Sequence, residues 1–471
     1  MGDRERGGRV PPLSRLMVRP LFVCLTACLV PSLTAAQTVR GTASYARIKT
    51  AVDGVPAIDT HDHLFPPDRL AEIMVETERG KGMTLFSLWR QSYAPQVAAI
   101  TPRTDRQPFD DWWAKAKHDF DNARATGFYR YQTIALRDLH GVDYDRISDE
   151  QANDLDARIF DLYRDDRWIQ EVVTRRANIE VLVNDPYWDR FGFRITYPFE
   201  VQTLNVSTLL DGFHPSEYKK PADDPYAFAA SQGMTVASLD DYLAVLDRLF
   251  QFAKEKGAVC LKTTRAYDRT LLFDKVPKER AAALFGKARR DLPAADVKAF
   301  QDFIMWELVE RSARFDLPIQ IHTGHGKLQG SNPVLLLDLI EANPKTKFIL
   351  FHGGYPWVGE TGAMLLRHGR HVWIDSVWLP TISPTMARRA FHEWLEVMPA
   401  DRILWGADCN HAEGIYGATV VTREVIAEVL AEKVERGDLT EEHAVRIGRQ
   451  VLRENALALF PTIRERVAAK P

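Results

Sequence analysis

Apolar residues gather along the chain in short runs near 56 to 60, 179 to 183, 193 to 198, 258 to 263, 318 to 322, 347 to 352, 371 to 375 and 402 to 407. The later runs are continuous in Val, Ile and Leu, without the alternation of a half-exposed strand, which marks strands covered on both faces. Between them lie segments with apolar residues at helical spacing, including Leu239 to Lys256, Ala299 to Phe315 and Pro333 to Ala342. Strand and helix in alternation predict a parallel sheet, and eight strands predict an α/β fold closed as a (β/α)8 TIM barrel. The second and third runs carry the weakest strand signal.

Two excursions break the alternation. Residues 64 to 175, after the first strand, hold amphipathic stretches such as Asp156-Ala-Arg-Ile-Phe-Asp-Leu-Tyr and aromatics at Phe86, Trp89, Tyr93, Trp112 and Trp113. They predict a mostly helical cap inserted over the barrel mouth. Residues 204 to 238, rich in Asp, Pro and Gly, read as a loop, and 265 to 298 form a third polar segment. Thr440 to Phe460 has the pattern of an amphipathic helix on the outside of the barrel. The expected organisation is one decorated domain over 37 to 471.

Residues 1 to 36 stand apart. Arginines at 4, 6, 9, 15 and 19 precede an apolar run from Leu21 to Leu33, and small residues Thr34-Ala35-Ala36 follow. That is the layout of a secretory signal peptide, with an apolar core too short to span a bilayer, so a secreted or periplasmic protein is expected. Lipoprotein anchoring at Cys28 is the minority alternative. The segment takes five arginines and two acids out of 61 basic and 64 acidic residues, moving the charge from −3 to about −6. No basic face suggests nucleic acid. Only Cys260 and Cys409 remain after it, too few for a disulfide framework, with a single bridge between them left open.

The apolar runs end in side chains suited to metals. Ala-Ile-Asp-Thr leads into His61-Asp-His63, and residues two apart on a strand share a face, so both imidazoles can enter the mouth while Asp62 points away. His322 ends Leu-Pro-Ile-Gln-Ile, His352 ends Lys-Phe-Ile-Leu-Phe, and Asp408 follows Arg-Ile-Leu-Trp-Gly-Ala. Four histidines and an aspartate at C-terminal strand ends place a metal site where barrels carry their chemistry.

Those stretches, His61-Asp-His63, Leu317 to Gly324, Phe348 to Gly354 and Arg402 to Asp408, resemble the amidohydrolase superfamily. The likeness is to its amidohydrolase-related branch, which includes aminocarboxymuconate-semialdehyde decarboxylase-like enzymes, and covers most of residues 55 to 460. It implies one divalent ion held by His61, His63, His322 and Asp408, with His352 catalytic outside the ligand set and Asp408 orienting or deprotonating water. Three imidazoles and a carboxylate suit Zn²⁺, and tolerate Mn²⁺ or Fe²⁺. Lys262 binds a substrate carboxylate, makes a structural ion pair or, least expected, bridges a second metal. Arg265, His325, Tyr355, Trp357 and Ser376 are candidate substrate contacts, with Lys327, Trp378, Asn410 and His411 also near the mouth. The other histidines, at 118, 140, 214, 368, 371, 392 and 443, are expected at the surface or in packing.

The insertion after His63 is larger than compact members of the branch carry and is similar to that of uronate isomerases. The expected activity is hydrolysis of an amide, lactone or ester bond in a small, carboxylate-bearing substrate by metal-activated water. A lyase or uronate-type isomerase on the same residues is the alternative, and homo-oligomerisation is left open.

Overall fold

Eight strands run parallel in sequence order: β1 (Ala57–Asp62), β2 (Ile179–Asn184), β3 (Glu200–Asn205), β4 (Cys260–Thr263), β5 (Ile319–Ile321), β6 (Phe348–Leu350), β7 (Val372–Asp375) and β8 (Ile403–Leu404). The computed structural model describes residues 38–469, so the expected signal peptide, with Cys24 and Cys28, lies outside the described residues. The ring closes where the Thr60 N–H donates to the Trp405 carbonyl at 3.2 Å and the Asp408 N–H to the His61 carbonyl at 3.0 Å. Gly406 permits that approach, since a Cβ there would lie 2.9 Å from Asp59 Oδ1 and from the His61 nitrogen.

Side chains of alternate residues point into the ring. Ile58, Val181, Val183, Val201, Cys260, Ile349, Phe351, Trp373 and Leu404 pack together inside it. Leu261, Ile319, Ile321, Phe348, Leu350 and Ile374 belong to the larger core under the surrounding helices. This two-sided burial is why the strands read as unbroken apolar runs.

The third strand is displaced from the expected 193–198. Phe193 there adopts a left-handed backbone, φ 50°, and Pro198 has no N–H to give a ladder. The true strand, Glu-Val-Gln-Thr-Leu-Asn, hides behind polar side chains that find buried partners: Glu200 accepts from the Thr196 and Tyr197 amides at 2.7 and 3.0 Å.

Between β1 and β2 stand helices Pro67–Ile73, Leu85–Gln91, Phe109–Ala116, Gly127–His140 and Asp149–Leu162, with a hairpin of Val75–Thr77 against Gly80–Gly82. Sequence locates their starts: Ser148 and Gln151 form a reciprocal capping box, and Thr126 caps the Tyr129 amide. Trp89 stacks on Tyr129 at 5.6 Å and meets Phe120 and Tyr144, giving the insertion its own aromatic core.

Residues 204–238 are less irregular than expected, carrying the end of β3, short 3-10 turns and helix Pro225–Ser231. The helix expected from Ala299 starts earlier, at Ala294, after Pro293. The C-terminal helical run reaches further inward than an outer covering: Ala456, Leu459, Phe460 and Ile463 pack against the apolar residues inside the ring. Asn455 Nδ2 fixes it by donating to the Ala400 and Ile403 carbonyls at the start of β8. Cys260 and Cys409 are both buried free thiols, so the bridge left open does not form. Among the described residues no helix is long and apolar enough to cross a membrane.

Candidate metal centre

β1 carries one extra residue: Asp59 pairs with Leu182, but the next partner of β2, Asn184, meets Asp62. Such a bulge re-aims side chains. His61 and His63 come together, ring centroids 4.8 Å apart and edge to face, with His61 also against Phe351 inside the ring. The turn after β8 brings Asp408 onto them. Its Oδ1 lies 3.7 Å from His61 Nε2 and 3.3 Å from His63 Nε2. One ligand atom from each of His61, His63 and Asp408 falls within 4.8 Å of the others.

The protons in this cluster do not balance. His63 Nδ1 lies 2.9 Å from the Asp185 carbonyl, which can only accept, so Nδ1 carries the hydrogen and Nε2 of the neutral ring is a bare lone pair. That lone pair faces a carboxylate oxygen. Among the described residues both nitrogens of His61 are buried without a hydrogen bond of good geometry, with the Gln320 side chain as a polar neighbour. Acceptors turned toward one another, with no donor between them, need a proton or a cation to be stable. Burial would lower the His63 pKa, but hydrogen bonding and charge from Asp408 raise it above the ordinary value. For Asp408, the same contacts outweigh burial and hold the carboxyl below its usual range.

His322, expected as the fourth ligand, stands outside that three-residue group. Its Nδ1 meets His352 Nε2 at 2.8 Å, while His352 Nδ1 lies 3.1 Å from the Val377 carbonyl. The carbonyl again fixes the tautomers: His352 donates from Nδ1, accepts at Nε2 from the His322 Nδ1–H, and leaves His322 Nε2 as a free lone pair. That atom is buried without a partner. Both rings are kept neutral, His352 pushed down to about 3 by burial, offset by Asp408, and His322 lowered by burial and then by His352. Asp408 Oδ2, the oxygen not facing His63, lies 3.9 Å from His352 Nδ1.

Four residues with left-handed backbone gather at this end: His325 (φ 29°), His352 (60°), Trp378 (65°) and Asp408 (59°), after β5, β6, β7 and β8 in turn. Non-glycine residues there cost roughly 1–3 kcal/mol each and persist where surroundings over-determine them, most often at functional sites.

Lys262 points from β4 into the ring, 1% exposed, with its Nζ 3.5 Å from the centroid of Phe351. Burial pulls its pKa down to about 8 against the pull of Asp408, Asp185 and Asp375. The weaker candidates separate. His325 packs on Trp378 at 4.9 Å and reaches Gln96 of the insertion at 3.2 Å. Tyr355 and Trp357 are partly exposed near the mouth. Arg265 is engaged by Asp211 and, at 3.1 Å, by Asp268. The Ser376 hydroxyl donates to the Leu404 carbonyl at 2.9 Å. His411 binds Gln132 rather than the ligand group.

Several residues escaped the sequence reading. Asp185 orients His63, and its carboxylate is held by Thr203 and Asn205. Asp375 accepts from the Thr60 hydroxyl at 2.5 Å, with its pKa raised to about 6 by burial. Tyr93 donates to the Asp408 carbonyl and packs on Trp378, so the insertion touches the site directly. Tyr187 lies against His63 and Tyr267 against His322, at 5.2 and 4.3 Å. An Asp closing the Val-Trp-Ile run of β7 was a readable signal. The aromatic contacts had none.

Residues 279–462 match the family model described as Amidohydrolase, a stretch that takes in His322, His352 and Asp408. Over 220 residues the chain is 31% identical to Protein fluG of Emericella nidulans, covering 44% of this chain and 25% of that protein. The chain thus spans about a quarter of the length of that relative. Among solved structures it is similar to glucuronate isomerase from Caulobacter crescentus, with a TM-score of 0.69 and 18% identity over 93% of this chain and 96% of that one. Uronate isomerase from Thermotoga maritima gives a TM-score of 0.68 and 17% identity over 88% and 97%. At those identities the likeness is one of fold. The amidohydrolase resemblance carried by the motifs holds, and the architecture around it is shared with uronate isomerases.

Proposed function

We propose that the protein is a metal-dependent hydrolase acting on an amide, lactone or ester bond of a small substrate that bears a carboxylate. One observation carries the reading: the His63 Nε2 lone pair and Asp408 Oδ1 face each other at 3.3 Å, with buried His61 Nε2 at 3.7 Å from the same oxygen and without a well-formed hydrogen bond among the described residues. A divalent cation answers all three. Nitrogen donors with one carboxylate fit Zn²⁺ best and accept Mn²⁺ or Fe²⁺, and the free His322 Nε2 is the natural fourth donor. When bound, the ion supplies Lewis acidity, lowering the pKa of a water to about 7 and polarising a carbonyl.

The chain's own groups do the rest. Asp408 turns one oxygen to the histidines of β1 and the other toward His352, so it can take a proton from water on one side and keep it near an imidazole on the other. The Val377 carbonyl fixes the tautomers of His352 and His322 across their 2.8 Å contact, which aims the His322 Nε2 lone pair, while the His352 Nδ1–H, 3.9 Å from Asp408 Oδ2, steadies the charge on that carboxylate as it takes up and returns a proton. Trp378, pressed on His352 and His325, excludes water from that side. Asp408, Asp185 and Asp375 all act on the Lys262 ammonium, and a divalent cation would offset their negative charge and favour entry of an anionic substrate. Lys262 is the proposed partner of its carboxylate.

A second reading, decarboxylation or aldose–ketose isomerisation, draws support from the architecture shared with uronate isomerases. Turnover in oxygen-18 water distinguishes them: label in the product supports hydrolysis. Carbon dioxide release, or interconversion of D-glucuronate without label, overturns it. Export is part of the proposal. N-terminal sequencing of the mature protein should begin near Gln37, and an intact N-terminus would reject it.

A further inference from the structure

The turn that carries Asp408 is held from both sides by carboxylates of β1. Asp62 Oδ1 accepts the Cys409 N–H at 2.6 Å. Asp59 accepts the Ala407 N–H with both oxygens, at 3.2 Å, and the His61 N–H with Oδ1 at 3.1 Å. The amides on either side of Asp408 are therefore held by two residues of the strand that bears His61 and leads into His63. The N–H of Asp408 itself goes to the His61 carbonyl. Aspartate is among the few non-glycine residues that visit the left-handed region, and at φ 59° these bonds on both sides hold Asp408 in it.

Asp62 is fully buried and its side chain is hydrogen-bonded to that of Asp59, so the two acidic groups that hold the turn act as a pair. Two acidic side chains buried in that position are expensive unless they do something apolar residues could not. What they do here is reach across from one ligand-bearing segment to the other.

We propose that Asp62, seconded by Asp59, is a positioning residue: it fixes the Asp408 turn against β1 and thereby sets the affinity of the His61, His63 and Asp408 group for a divalent cation. The inference rests on the metal reading above. It assigns a role to the one residue of the His-Asp-His stretch that the ligand set leaves out.

The test is Zn²⁺ affinity of the metal-stripped protein, measured by competition with a chromophoric chelator. Asp62→Ala removes the acceptor and should weaken Zn²⁺ binding about 10- to 100-fold, the usual effect of losing a group that orients a ligand. Asp62→Asn keeps a carbonyl oxygen for the Cys409 N–H and should bind within about 3-fold of the parent, a rescue that tests the acceptor role itself. Parental affinity in Asp62→Ala, or equal losses in Ala and Asn, overturns the inference. Should Asp62→Ala fail to fold, Asp62→Ser, too short to reach the amide, carries the same prediction. If the parent protein takes up no Zn²⁺, Mn²⁺ or Fe²⁺, the metal reading falls instead.

Discussion

Two buried pairings of histidine with a carboxylate lie on either side of the start of helix Ala412–Glu435, and they are built on opposite principles. In the first, Glu413 is met by donors from the insertion: the Trp168 indole at 2.9 Å, His140 Nε2 at 3.3 Å and the Tyr163 hydroxyl. Burial alone would raise its pKa, but the bonds from His140 and then Tyr163 win, holding it down to about 2. Among the described residues His140 Nδ1 has no partner. In the second, Asp408 meets the lone-pair side of His63, while His61 and His322 leave nitrogens bare. A carboxylate surrounded by donors bolts two parts of the chain together. One that meets the lone-pair side of a histidine is stable only with a proton or a cation between them.

The sharpest break of this comparison is Asp408→Asn or His61→Ala. Either removes a donor from the unsatisfied cluster, and both should abolish turnover and bound metal, read by elemental analysis of purified protein. Parental metal content in both variants would reject the ligand assignment. His352→Asn comes next. It should leave metal content intact while activity falls about 10²- to 10⁴-fold, the usual worth of a proton-handling group. Loss of metal in that variant would mean His352 itself reaches the ion.

The satisfied cluster should answer differently. Glu413 at about 2, against an ordinary 4.5, corresponds to about 3 kcal/mol of stability. The sign follows from a depressed acid: the contribution is complete above the unfolded pKa near 4.5 and drains away as pH falls toward 2. Glu413→Gln should therefore lower stability in denaturant titrations at pH 7 by about that amount, with the gap to the parent closing below pH 4.5 and metal content unchanged. Metal loss there would show that the two clusters are not independent.

How much of this was legible depends on what each residue needed to reveal itself. The strands bearing His61, His322, His352 and Asp408 stood out because doubly covered strands are continuously apolar and their last residues break the pattern. β3 did not, since Glu200 and Gln202 are polar yet buried, and their partners in residues 194 to 197 come from a loop. Asp185 lies between an asparagine and a proline, a pattern that marks turns and carries no sign of a partner for His63. The His322 to His352 contact, the orphaned lone pairs and the reach of Tyr93 onto Asp408 depend on side-chain rotation and on segments far apart in the chain. No periodicity encodes those.

Ser376 supplies the mildest test and the one that asks whether position alone makes a binding residue. It sits after β7 at the mouth end, where a substrate contact was expected, beside the left-handed Trp378. Yet its hydroxyl is committed to the Leu404 carbonyl at 2.9 Å, a bond between β7 and β8 that is 1% exposed. A neutral buried hydrogen bond of this kind contributes about 1 kcal/mol, so Ser376→Ala should cost that much in unfolding free energy and leave KM alone. A change in KM beyond about 3-fold at unchanged stability would show the hydroxyl turning from its neighbour to the substrate, and would move Ser376 from the satisfied class to the unsatisfied one.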